Sequence, residues 1–281
     1  MTGLVVTGYA SLDYPVGLAG QVGGDQTTLI EHRDANAWPR IGGCPAYMAL
    51  AVSERNGSVA PVTWIGSGTE SDHFILTLHN AGVNTDGIDR LPSPRAPTAI
   101  LAYQKDGTCA CLFDPVFAGD EELTQSQQAL IASASHVCIS VGPPHLTRDI
   151  LASRNPEARL YWVVKNDARC FTPEICAEIS GAADVVFCNS SERVLIGDVA
   201  SETLIVETRG PDGILLERGG EAETLAVEPL PVRDTTGAGD TLAGGFVAAE
   251  MAGHADPLAA AQAGLQATMK LLEERLERQI S

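Results

Sequence analysis

The chain has 281 residues, 44% of them hydrophobic and 19% charged, which excludes a disordered polymer. A chain of this length can bury roughly three quarters of its unfolded surface without disulfide staples. Eighteen basic against thirty-six acidic side chains leave a formal net charge of −18. That field repels nucleic acid and anionic lipid, so an anionic ligand needs a local, preorganised site.

The first element is Leu4-Val5-Val6-Thr7, a short apolar run ending at Gly8 that reads as a buried strand. Met1-Thr2-Gly3 leads straight into it, so no signal peptide is expected. Residues 16 to 40 are rich in Gly, Asp and Thr and read as a partly exposed hairpin region. An apolar helix follows over 46–55, stopped by Asn56-Gly57. Next come a strand at 61–65 and a helix at 70–81 closed by Gly82. Strands at 98–104 and 108–113 flank Lys105-Asp106-Gly107, a hairpin turn.

From there strands alternate with helices. The strands fall at 136–141, 159–164, 184–188 and 203–208, and the helical patterns at 123–133, 147–153 and 173–179. Alternation of this kind predicts a mostly parallel sheet covered on both faces. Two further strands are expected at 213–217 and 224–227, then Ala-rich helices at 238–252 and 257–279. The pattern describes one α/β domain spanning 1–281, with hairpin insertions at about 14–41 and 97–113 that form a small separate sheet. The longest uncharged stretch, 123–147, is full of Ser, Gln and Pro and is no membrane span.

Several kinds of chemistry drop out. The only lysines are Lys105, Lys165 and Lys270, and none follows a glycine, which excludes a Walker A loop. Gly66-Ser67-Gly68 lacks the third glycine of a dinucleotide fingerprint, since Ser71 stands there. The seven cysteines are scattered and contain no C-x-x-C pair, which fits buried free thiols in a reducing cytoplasm. Cys109-Ala110-Cys111 would point both thiols to one face of a strand, with no further ligand close in sequence to complete a metal site.

The segment richest in chemistry is Asp234-Thr235-Thr236-Gly237-Ala238-Gly239-Asp240, opening a long helix. Its glycines allow close backbone approach, and a helix starting there aims free N–H groups and its positive dipole end at one spot. That is an anion hole for a phosphate. Asp240, in the first turn, could accept a proton from an attacking hydroxyl; a plain helix cap with an acid near the dipole is the alternative.

The heptapeptide Asp234–Asp240 resembles the C-terminal signature of the ribokinase-like (PfkB) carbohydrate kinases. Gly42-Gly43, opening a helix, resembles that family's N-terminal di-glycine. Asn189-Ser190-Ser191-Glu192 resembles its N-x-x-E motif, Thr208-Arg209-Gly210 with Gly213 its strand-turn before the nucleotide, and Gly8 with Asp13 its first strand. The order holds from residue 4 to about 265. The resemblance implies a three-layer α/β/α domain, with a central mostly parallel sheet plus a small β lid that excludes water. It also implies ATP- and Mg²⁺-dependent transfer of a phosphoryl group to a hydroxyl of a sugar, polyol or nucleoside. Asp240 would then be the base, and the backbone of Gly237, Ala238 and Gly239 would hold the phosphoryl group. Asn189 and Glu192 would lie near hydrated Mg²⁺, although the same pair reads equally as a capping box. Asp13, Gly42 and Gly43 would meet substrate hydroxyls; Thr208, Gly210, Gly213, Thr236 and Gly239 would border the nucleotide. A homodimer through the lid edges is a further expectation.

Three departures from the family pattern stand out. Tyr47 occupies the place of the usual sugar-orienting Asn, so it is expected at the substrate or in the core. Lys165-Asn166-Asp167-Ala168-Arg169 replaces D-P-N-x-R; Arg169 is kept, and Lys165 is expected to face a phosphate or a substrate carboxylate, or to form a structural ion pair with Asp167 or Asp184. Leu271–Ser281 is a charged helix with no loop to enclose adenine, so a more open base pocket is expected. A silent sugar- or nucleotide-binding protein on the same fold is the competing reading.

Overall fold

The structure, a computed structural model, describes residues 3–34, 37–116 and 119–280. Positions 35 and 36 of the predicted hairpin region, Met1 and Thr2 of the predicted leaderless start, and Ser281 of the terminal helix lie outside the described residues.

The chain begins with β1 (Leu4–Thr7), β2 (Ser11–Leu18), β3 (Ile30–His32), β4 (Arg40–Gly42) and α1 (Cys44–Ser53). There follow β5 (Val59–Ile65), α2 (Thr69–Asn80), β6 (Ile88–Arg90), β7 (Thr98–Tyr103) and β8 (Cys109–Asp114). The alternating part comprises α3 (Gln125–Ser133), β9 (His136–Ile139), α4 (Pro144–Ser153), β10 (Arg159–Val163), α5 (Pro173–Ser180), β11 (Val185–Asn189) and β12 (Leu204–Thr208). The chain closes with β13 (Ile214–Arg218), β14 (Glu221–Leu225), α6 (Ala238–Met251) and α7 (Pro257–Ile280).

Nine strands form the large sheet in the order β14-β13-β12-β11-β10-β9-β1-β5-β6. Neighbours from β12 to β6 run parallel, while β13 and β14 turn back antiparallel. Each strand sends alternate side chains to opposite faces. Leu4 and Val6 join Tyr161, Val163 and Phe187 beneath α1, α2, α6 and α7. Val5, with Leu160, Trp162 and Val186, packs under α3, α4 and α5. Because both faces are covered, the parallel strands read as continuous apolar runs rather than alternating ones. This is the ribokinase-like three-layer α/β/α arrangement.

The second sheet has the order β3-β2-β7-β8, with β4 also pairing β2. Register puts Asp13, Leu101, Tyr103, Cys109 and Cys111 on one face. The two cysteines therefore do share a face, but they are exposed rather than buried, and no metal-ligating cluster of three occurs among the described residues. Two strands differ from expectation. β2 is not expected from the sequence: Leu12, Tyr14, Val16 and Leu18 alternate as in a strand, but Pro15 and Gly17, both disfavoured in strand interiors, stand between them. β6 is a three-residue edge strand whose Asp89 and Arg90 carry no strand signal. No described helix is long and apolar enough to cross a membrane.

Candidate active site

The carboxyl ends of β10, β11 and β12 face the start of α6, and between them lies a cavity of about 490 Å³. Clefts at strand carboxyl ends are where open parallel sheets bind ligands. Nine of the residues expected from sequence line it: Lys165 after β10, Asn189 and Glu192 at the end of β11, Thr208, Gly210 and Gly213 beyond β12, and Gly237, Ala238 and Gly239 at α6. Its apolar wall comes from Leu265, Met269 and Leu272 of α7. Helix α7 thus forms one wall of the cavity.

Gly237 caps α6 with φ of 74°, a left-handed conformation that favours glycine. A Cβ there would lie 2.5 Å from the Tyr47 ring, so the loop rests directly on that ring. The Ala238 N–H is engaged, donating to the Thr235 carbonyl at 3.0 Å. The N–H groups of Gly237 and Gly239 have no partner among the described residues and are the donors left to meet an anion. Ala238 therefore shapes the turn rather than donating from it.

Asp240 is buried, at 5% exposure, and does not itself line the cavity. Its Oδ1 lies 2.9 Å from the Nζ of Lys165, a residue that does. The expected ion-pair partners of Lys165, Asp167 and Asp184, are displaced by Asp240. Burial opposes the Lys165 charge, yet Asp240, with Cys44 and Glu192 nearby, holds its ammonium above the ordinary lysine range. Among the described lining residues Lys165 is the one lysine or arginine.

Asn189 and Glu192 cap each other. Asn189 Oδ1 accepts from the Ser191 and Glu192 N–H groups at 2.9 Å, and Glu192 Oε2 accepts from the Asn189 N–H at 2.9 Å. Burial pushes the Glu192 carboxyl up, with Lys165 pulling the other way.

A second group of the expected residues lies at the small sheet and the start of α1. Asp13 is 2% exposed; Oδ1 accepts from Ser11 Oγ at 2.6 Å and Oδ2 from the Tyr47 hydroxyl at 3.0 Å. A Cβ on Gly42 would sit 2.2 Å from that carboxylate, so only glycine fits opposite it. Gly43, at the start of α1, faces the Tyr9 carbonyl in the same way. Tyr47 is thus a core residue whose hydroxyl serves Asp13 and whose ring carries Gly237.

The model of the pfkB family carbohydrate kinases matches residues 22–275. The chain belongs to the PfkB family. A cytidine kinase from Thermococcus kodakarensis is 26% identical over 275 residues, covering 88% of each chain. An ATP-dependent ribose-1-phosphate kinase from Halopiger xanaduensis is 26% identical over 221 residues, 74% of this chain and 72% of that one. In fold, the chain is similar to a Cryptococcus neoformans ribokinase solved with ADP (TM-score 0.80, 22% identity, 94% and 92% coverage). It is also similar to the Methanocaldococcus jannaschii nucleoside kinase (TM-score 0.78, 17% identity, 97% and 92% coverage).

In this PfkB kinase seven of the sixteen expected residues do not line the cavity: Asp240 pairs with Lys165, Asp13, Gly42, Gly43 and Tyr47 gather at the small sheet, and Arg169 and Thr236 belong to neither group. Arg169 has a 71% exposed side chain and forks onto Asp167 two residues away, at 2.8 Å. Thr236 turns its hydroxyl to Tyr103 of the small sheet, at 2.5 Å, and it is Thr235 that lines the cavity. Sequence reasoning missed Ser11, Tyr103, Arg40 and Thr268. Thr268 had a signal, since Leu265, Thr268, Met269 and Leu272 recur at helical spacing; the other three are placed by strand pairing.

Proposed function

We propose that this PfkB kinase transfers the γ-phosphoryl group of ATP to a hydroxyl of a small sugar, polyol or nucleoside. The observation that carries the reading is the meeting, at one cavity edge, of the unpaired Gly237 and Gly239 amides with the Lys165–Asp240 pair. In the step, the acceptor oxygen bonds to the γ-phosphorus, the bond to the β-phosphate oxygen breaks, ADP leaves, and the hydroxyl proton passes to Asp240. The Gly237 and Gly239 N–H groups take up the charge on the moving phosphoryl oxygens. Lys165 exchanges partners, holding Asp240 at rest and the phosphate during transfer, which frees the carboxylate to act.

Glu192 suits a hydrated Mg²⁺ through Oε1, the carboxylate oxygen its cap leaves open on the cavity wall, enough for an ion that keeps most of its water; Asn189, its Oδ1 engaged by the Ser191 and Glu192 N–H groups, would hold Glu192 in place beside the ion's water. Bound there, magnesium would neutralise phosphate charge. Thr208, Gly210 and Gly213 border the nucleotide, and α7 covers its base. Asp13, with the Gly42 and Gly43 backbone, receives the acceptor, and the small sheet, inserted at about 14–41 and 97–113, closes over it as a lid on a single domain. A homodimer through that sheet belongs to the same reading, supported by the exposed pair Ile100 and Leu112 on its outer face. So does a cytoplasmic location, supported by seven free cysteines.

The test is acceptor-dependent ADP release over ribose, inositols, cytidine and ribose 1-phosphate. The two similar enzymes divide that panel between a nucleoside and a sugar phosphate. Turnover with one class identifies the acceptor; tight binding of sugar or nucleotide without any turnover would leave a silent binding protein on the kinase fold.

A further inference from the structure

A second, smaller cleft lies away from the main cavity, where the small sheet meets the end of α7. It is lined by five of the chain's fifteen arginines, Arg33, Arg40, Arg233, Arg275 and Arg278, against two acids, Asp34 and Asp234. In a molecule of net charge −18 that is a strong local reversal of sign.

Asp234 does not use up the two buried cations beside it. Asp234 takes one nitrogen from each of two arginines, Arg40 Nη1 at 2.6 Å and Arg275 Nη1 at 3.6 Å. Arg40 Nε and Nη2 and Arg275 Nη2 remain buried without a hydrogen-bonding partner. Arg275 is 6% exposed. Buried guanidinium donors left unmatched are costly, and an acceptor-rich anion would satisfy them. Arg233 is paired only loosely, with Glu31 at 3.6 Å.

We propose that this cleft binds the phosphate-monoester group of a small molecule. Planar guanidinium forks match tetrahedral phosphate oxygens in pairs. The space within the cleft, about 30 Å³, matches the size of a single such group. Occupancy would be felt at the transfer site, because Tyr103 and Asp234 line the cleft and both hold Thr236, the neighbour of Gly237. The phosphate has two possible sources: an acceptor that already carries one, which rests on the function proposed above, or a separate phosphorylated effector, which does not.

The experiment titrates inorganic phosphate into protein saturated with a non-hydrolysable ATP analogue and Mg²⁺, so that the nucleotide site and its γ-phosphoryl position are both filled. The wild type is compared with R33Q/R233Q/R278Q, whose substituted residues are at the surface, and with the remote control R148Q. The triple variant is expected to bind phosphate at least tenfold more weakly, with R148Q unchanged; the single variant R233Q should show an intermediate loss should the triple variant fold poorly. If the acceptor carries the phosphate, KM for sugar monophosphates rises at least tenfold in the triple variant while KM for the parent sugars holds. If an effector carries it, phosphate binding is lost without change in either KM. Equal phosphate affinity in wild type and triple variant, or no binding in the wild type, overturns the proposal. The titration needs no turnover, so a failed acceptor screen leaves it intact.

Discussion

The main cavity and the arginine cleft handle negative charge in opposite ways. The cavity offers backbone amides, a capped Asn–Glu pair and one lysine already paired to an acid. The cleft offers five permanently charged guanidinium groups, some of whose nitrogens are unmatched. A group that must arrive, move and leave is best met by neutral amides and an exchangeable ion pair, because neither traps it. A group that only needs to be held is best met by arginine, whose charge is never given up. If both proposals hold, transfer and recognition meet within one loop, Asp234 to Asp240: its first residue lines the cleft, and its last pairs with the cavity-lining Lys165.

The largest expected effect breaks the transfer side alone. D240N removes the proposed proton acceptor while keeping its shape, and kcat should fall roughly 10³-fold. ADP should bind at least as tightly as before, because Lys165 loses its partner and a negative charge leaves the cavity edge. A coupled kinase assay and an ADP titration read the two effects separately. Near-normal turnover in D240N would remove Asp240 from the chemistry.

The next effect belongs to the recognition side. Burial opposes the Asp234 charge, but Arg40 and Arg275 hold its carboxyl down at about 2, from an ordinary 3.8. A folded-state value below the unfolded one stabilises above the unfolded value and is lost as pH falls towards the folded one. About 2 kcal/mol should therefore disappear between pH 4 and pH 2. D234N should be less stable than wild type at pH 7 by roughly 3 kcal/mol, since the buried Arg40 is left unpaired. The gap should narrow as pH drops from 4 to 2, where wild type loses what the variant never had. Urea unfolding at pH 7, 4 and 2.5 checks this, and a constant gap would contradict it.

The two regions were unequally legible in the sequence. The transfer loop could be read because its residues are contiguous and its glycines demand a particular backbone. The parallel strands could be read because burial on both faces leaves apolar runs. The cleft could not be read, since its arginines come from β4, the loops and α7, and only folding assembles them. Lys165 stood out as one of three lysines, but its partner lies 75 positions away and the nearer acids were the obvious choice. Arg169 was misplaced for the converse reason: Asp167, two residues away, satisfies it locally, so nothing draws it to the site.

The smallest effect tests the joint between the regions. Tyr47 sits at 5% exposure with its ring against Gly237 and its hydroxyl 3.0 Å from Asp13 Oδ2. Y47F keeps the ring and removes one hydrogen bond, which should cost about 1 kcal/mol of stability. Because the ring still supports the Gly237 loop, kcat should stay near wild type. Asp13, freed of one donor and already pushed up by burial, should hold an acceptor differently, so KM for the acceptor should change several-fold. A denaturant curve and steady-state kinetics on the same preparation separate these outcomes. A fall in kcat with KM unchanged would mean that the hydroxyl, not the ring, sets the transfer loop.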